Sequence, residues 1–282
     1  MYKELNFIPL NKIFYGDEMK KNINGISVFT EGDEKQKALI FVHGFPYDHH
    51  MWKNQIDEFS SNHFCVLYDN RGLGESIVGD GQFTMEQFVD DLETILDELK
   101  LDKPVLCGLS MGGYISLRAV ERMQNIFSGL ILCDTKSEAD DNPGKLKRAA
   151  AIQQINSGKF DELIETFVRN CFGDKFVEEN NAGYREVVER SKKNSPLGVK
   201  GCLLAMAGRT DTTEDLSKIN IPTLVICGSE DKLSPPNVMK PMSEKILNSK
   251  FVLIEEAGHM TPVEKPEEVN SAIKNFLLTH NF

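Results

Sequence analysis

Short apolar runs of β type alternate with stretches of helical periodicity from about residue 24 onward, and few architectures accept that rhythm. It predicts an α/β fold: a mostly parallel central sheet of about eight strands, flanked by helices on both faces. Strands are expected at 26–29, 38–42, 64–68, 104–107, 130–133, 223–227 and 251–254. Most are continuous apolar runs, as strands covered on both faces must be.

Helices fill the gaps. Met85, Phe88, Val89, Leu92, Ile95, Leu96 and Leu99 recur at three- and four-residue spacing, and Thr84 with Gln87 resembles a capping box at the start of that stripe. Further helices are expected after Asp48, Ser110, Pro235 and Pro266, the prolines suiting a first helical turn. One interval breaks the rhythm, because about 90 residues separate Cys133 from Thr223 and a parallel crossover needs only a dozen or so plus its helix. Residues 136–215 read as several amphipathic helices, with 149–155, 160–168 and 184–188 among them. They are expected to form a helical lid, or cap, over the strand ends, inserted into a core made of residues 1–135 and 216–282.

Charge narrows the partners. A net charge of −11 repels phosphate backbones and anionic headgroups, and the basic residues are scattered, so neither nucleic acid nor a membrane surface is expected as a partner. No run reaches the roughly 18 to 20 apolar residues of a membrane span, and residues 1–6 carry no apolar signal core, which points to the cytoplasm. Cys65, Cys107, Cys133 and Cys227 fall inside strand-like runs and read as reduced packing residues; no C-x-x-C spacing suggests zinc or redox chemistry. Oligomeric state is left open.

The expected strand 104–107 runs into Gly108-Leu109-Ser110-Met111-Gly112-Gly113 and then a helix, the strand-turn-helix setting that G-x-S-x-G requires. The pattern alone is weak; its setting gives it weight. A serine on a sharp turn projects its oxygen above the sheet, and side chains beside it would strike neighbouring backbone. Ser110 is the candidate nucleophile. Its hydroxyl needs a base, and His259, in a loop after the expected last strand, is the candidate, with kcat/KM then climbing through an apparent pKa near 6 to 7. The acid that orients it is Asp231, past strand 223–227, with Asp134 and Glu230 as competitors. The backbone N–H groups of Phe45 and Met111 are the candidate oxyanion hole. Phe45, Met111 and Leu233 are candidate substrate-binding residues, and Arg148, Arg169 and Arg209 are the cations that a charged lactone could use. His43 is expected to brace the oxyanion loop, as are Asp69 and Arg71 from behind it. His49, His50, His63 and His280 read as surface residues.

Taken together, His43-Gly44-Phe45-Pro46, Asp69-x-Arg71-Gly72-x-Gly74-x-Ser76, Gly108-x-Ser110-Met111-Gly112-Gly113, Gly228-x-x-Asp231 and Gly258-His259 make the chain resemble the α/β-hydrolase family from about Ile26 to Leu278. Met206-Ala207-Gly208-Arg209-Thr210-Asp211 and the stretch from Glu264 to Asn270 are similar to its esterase, enol-lactone hydrolase and cofactor-free haloperoxidase-like branch. The resemblance implies an acyl-enzyme mechanism without metal or cofactor, acting on a small to medium ester or lactone. A serine at position 110 sets it apart from relatives that attack with a carboxylate. A ligand-binding or receptor-like protein that keeps the triad, and a carbon–carbon bond or peptide hydrolase, are the alternatives.

Overall fold

A computed structural model describes residues 19–282. The expectation of no signal core concerns residues 1–6, outside that range. Among the described residues eight strands form one sheet: β1 (Met19–Ile23), β2 (Ile26–Glu31), β3 (Ala38–Val42), β4 (Phe64–Tyr68), β5 (Val105–Leu109), β6 (Gly129–Cys133), β7 (Thr223–Gly228) and β8 (Ser249–Ile254). Their order is β1-β2-β4-β3-β5-β6-β7-β8; β1 with β2 and β2 with β4 are antiparallel, and every later pair is parallel. Seven strands stand where the apolar runs put them. The eighth, β1, escapes that reading because it is the edge strand Met-Lys-Lys-Asn-Ile, with four of its five residues exposed, and charged edges protect a sheet from pairing with another chain.

Helices α1 (Lys53–Phe59), α2 (Met85–Glu98) and α3 (Met111–Met123) connect the early strands. Five more, α4 (Asn142–Asn156), α5 (Phe160–Cys171), α6 (Asp174–Glu179), α7 (Asn181–Lys192) and α8 (Pro196–Ala207), fill the interval between β6 and β7. Then come α9 (Pro236–Glu244), the single turn α10 (Thr261–Glu264) and α11 (Pro266–Thr279). Strand residues alternate between two cores, as a period of two requires. Ile40, Val42 and Leu106 pack with α2, α3 and α9 on one face, while Leu39, Phe41 and Val105 pack with α1 and α11 on the other. The expected capping box closes α2 from both sides: Gln87 N–H donates to Thr84 Oγ1 at 3.3 Å, and Thr84 N–H to Gln87 Oε1 at 3.4 Å.

The inserted helices lean on loops at the carboxyl ends of the strands. The Phe167 ring of α5 meets Phe45 edge-on at 5.2 Å, and Asn194 donates from Nδ2 to Pro46 O (2.7 Å) while its Oδ1 accepts from Gly74 N–H (2.8 Å). Two of these helices, α6 and α8, have no counterpart among the expected ranges. The reason at α8 is plain: it buries Val199, Cys202, Leu203, Ala205 and Met206 yet also exposes Leu197 and Leu204, so it shows no apolar stripe. All six cysteines are buried and unpaired, which fits the packing role expected of four of them. Among the described residues no helix is long and apolar enough to cross a membrane.

Candidate active site

Ser110 sits between the last residue of β5 and the first of α3, at φ 54° and ψ −114°. That is left-handed backbone, costly for a residue with a side chain, and the surroundings hold it there. Ser110 N–H donates to Cys133 O (3.0 Å), and Ser110 O accepts from Tyr114 N–H (3.1 Å) and Thr135 Oγ1 (2.8 Å). Gly112 is required by contact, since a Cβ there would lie 2.1 Å from Val42 O. The turn therefore presses directly against the end of β3, and Gly44, whose added Cβ would lie 3.2 Å from Ser110 Cβ, brings the following loop alongside the serine.

The structure brings Ser110, His259 and Asp231 together. His259 Nε2 lies 2.8 Å from Ser110 Oγ, and His259 Nδ1 lies 2.8 Å from Asp231 Oδ2. All three are nearly enclosed, with exposures of 9%, 2% and 3%. Asp231 is oriented by its own loop, its Oδ1 accepting Leu233 N–H (2.7 Å) and Ser234 N–H (3.0 Å). Burial opposes charge on both partners, but each ion favours the other: the Asp231 carboxyl is held below its ordinary value and the His259 imidazole above its own. With Asp231 ionised, Nδ1 must carry the proton it donates, which leaves the Nε2 lone pair facing the serine hydroxyl.

The competing acids are engaged elsewhere. Asp134 accepts Gly228 N–H (2.9 Å), Thr261 N–H (3.2 Å) and Thr261 Oγ1 (2.5 Å), tying β6 to β7 and to the histidine loop. Burial and the Asp231 charge push its pKa well up. Glu230 is exposed, and its N–H closes on Ala257 O (2.8 Å). Glu264, which sequence reasoning did not single out, accepts Gly258 N–H and Met260 N–H on Oε1 (both 3.1 Å) and Gly173 N–H on Oε2 (2.8 Å). It thereby clamps both neighbours of His259 to the segment after α5. Nothing in its spacing from the histidine announces this; its buried place among backbone donors is a tertiary fact.

Met111 is the first residue of α3, so its N–H has no acceptor one turn back within the helix. The Phe45 loop is closed by Tyr47 N–H on Gly44 O (3.0 Å), and among the described residues Phe45 N–H takes no part in its backbone bonds. The Phe45 and Met111 side chains are buried, whereas Leu233 is 39% exposed in the loop that orients Asp231. His43 has the expected bracing place: Nδ1 donates to Gly44 O and Nε2 accepts Asn70 N–H, both at 2.8 Å. Burial lowers its pKa and keeps it neutral for those two roles. Asp69 accepts His49 N–H and His49 Nδ1 (both 2.8 Å) and Glu75 N–H (2.8 Å), while Arg71 forks onto Asp91 of α2. His49 corrects the surface reading, because it is 2% exposed and stacks on Phe29 at 3.6 Å between ring centres. Its polar sequence neighbours hid the fact that Asp69 and Phe29 enclose it from other parts of the chain.

Two groups of potential metal ligands occur among the described residues, Asp48-His49-His50 and Asp134-Cys227-Asp231. Their atoms already serve other bonds: His49 holds Asp69, Asp48 caps the turn at His50, and Asp134 and Asp231 hold the loops just described.

The profile of the alpha/beta hydrolase fold family matches residues 37–266. A 3-oxoadipate enol-lactonase of Acinetobacter baylyi is 29% identical, covering 89% of this chain and 92% of its own. A proline iminopeptidase of Lactobacillus helveticus is 28% identical over 89% of this chain and 93% of its own. Among solved structures, a thermophilic esterase from Thermogutta terrifontis superposes with a TM-score of 0.88 at 31% identity, covering 95% of this chain and all of that one.

Proposed function

The chain belongs to the alpha/beta hydrolase fold family, and from that premise we propose that it is a serine hydrolase cleaving a carboxylic ester or lactone of a small to medium molecule. One observation carries the reading: an unbroken line from Ser110 Oγ through the His259 ring to Asp231, with two contacts of 2.8 Å. In this mechanism His259 Nε2 takes the hydroxyl proton as Ser110 Oγ attacks the carbonyl carbon, and Asp231 stabilises the imidazolium. The N–H groups of Phe45 and Met111 receive the oxyanion, each such donor being worth about 3 kcal/mol in the transition state. His259 then protonates the leaving oxygen, and water attacks the acyl-enzyme by the same route in reverse.

Residues 136–215 act as a lid in this reading. They press Phe167 onto Phe45 and hold the histidine loop through Gly173, so they enclose the acyl group and exclude bulk water. Support for an ester or lactone rather than another acyl bond comes from the enol-lactonase and esterase likenesses. The test is hydrolysis of an uncharged nitrophenyl ester by the protein and by Ser110→Ala. Turnover that falls by about 10⁴-fold or more in the variant supports the proposal. Turnover unchanged by the substitution, or faster release from prolyl peptides than from any ester, contradicts it.

A further inference from the structure

We infer that this site takes uncharged esters or lactones and discriminates against substrates that carry a carboxylate near the scissile bond, an inference that rests on the hydrolase reading above. A substrate carboxylate entering an enclosed site must be received by a cation, because an unpaired charge in a poorly hydrated interior is costly. Four of the five arginines of the inserted segment pair with acids of the chain itself, and the fifth, Arg185, is exposed on α7 rather than enclosed. Arg209, 6% exposed, lies 4.1 Å over the Tyr114 ring and bonds Asp140 Oδ1 (2.8 Å), Met206 O (2.9 Å) and Glu138 O (2.6 Å). Arg148 takes the other oxygen of Asp140 at 3.0 Å. Arg169 pairs with Asp174 at 2.5 Å and Arg190 faces Asp48 and Glu186. Lys136 opens onto a cleft lined by Met85, Tyr114, Arg118 and Arg209, with neither Ser110 nor His259 in its wall. Exposed Lys232 exerts its charge on Asp174.

Acids gather behind His259, on the side of the ring away from Ser110. Asp231 holds His259 Nδ1, Glu264 holds the N–H groups on both sides of His259, and Asp134 holds Thr261 two residues on. Burial pushes Asp134 and Glu264 toward the neutral form, and the Asp231 charge adds to the push on Asp134. The region therefore already resists the negative charge it has, and a substrate carboxylate would bring more. The inserted helices present a different surface toward Phe45 and Met111. Ile152, Phe160, Leu163 and Phe167 are half-buried against the core that contains Phe45 and Met111, which suits an apolar acyl chain.

The experiment compares two esters of equal acyl length, 4-nitrophenyl valerate and the mono-4-nitrophenyl ester of glutaric acid, each corrected for its rate with Ser110→Ala. The expected kcat/KM favours the uncharged ester by about tenfold or more, since like charges brought together across a binding surface are strongly disfavoured. Equal rates, or a preference for the glutarate, overturn the inference and leave the hydrolase reading standing. Failure to turn over either ester removes the hydrolase reading and this inference with it.

Discussion

Replacing Asp231 with Asn tests the proton relay with little disturbance of shape. Asp231 Oδ1 accepts two backbone N–H groups, from Leu233 and Ser234, while Oδ2 faces His259 Nδ1. An amide at this position settles with its oxygen toward the two N–H donors, because its NH2 group cannot bond to them. The NH2 then points at Nδ1 and donates to it, which forces the imidazole proton onto Nε2. A protonated Nε2 faces Ser110 as a donor and cannot accept the hydroxyl proton. The same wrong-tautomer effect in other Ser-His-Asp enzymes costs about 10⁴-fold, or ~5.4 kcal/mol of transition-state stabilisation. We expect that loss in kcat/KM for 4-nitrophenyl valerate, with a melting temperature close to the parent's because the loop bonds of Oδ1 survive. Asp134→Asn serves as the comparison and should lose at least about tenfold less, since Asp134 bonds Gly228 and Thr261 and not the imidazole. A folded Asp231→Asn protein within about tenfold of the parent, or one more active than Asp134→Asn, would refute the reasoning.

Two further outcomes follow from the same geometry. The ascending limb of kcat/KM against pH should lie above the ordinary histidine value of about 6.5, because burial, which opposes the imidazolium, is outweighed by the acids around it, Asp231 foremost, and His259 is a base only once that proton has left; a limb below that value would contradict this. Glu264→Gln keeps two acceptor bonds but turns an NH2 group toward Gly173 N–H, so chemical denaturation should show a loss of about 1–3 kcal/mol, and kcat should fall as the histidine loop loosens; unchanged stability would remove the clamp from the account.

What could be read from the chain and what could not divides along a physical line. Strands such as β3 and β6 are continuous apolar runs because both faces are covered, and Ser110 declares itself because the turn needs small residues such as Gly112 where backbone comes within contact distance. Those features are local, so the sequence records them. The edge strand β1 carries polar residues for the solvent it faces, and α8 carries leucines on its exposed as well as its buried side, so neither shows the period that marks its type. His49, Asp134 and Glu264 take their roles from partners 20, 94 or 127, and 91 residues away, respectively, and no spacing encodes such meetings. The choice of Asp231 over Asp134 likewise rests on which carboxylate faces the ring: both end strands, and both lie buried beside the same loop.

The account depends on Ser110 being the group that the His259–Asp231 pair activates, and covalent trapping reads that directly. Incubation with a fluorophosphonate followed by intact-protein and peptide mass spectrometry should give one adduct per chain, on Ser110, absent in Ser110→Ala and much slower in His259→Ala. An unlabelled protein, a label on another residue, or labelling of Ser110 at the same rate without His259 would contradict it.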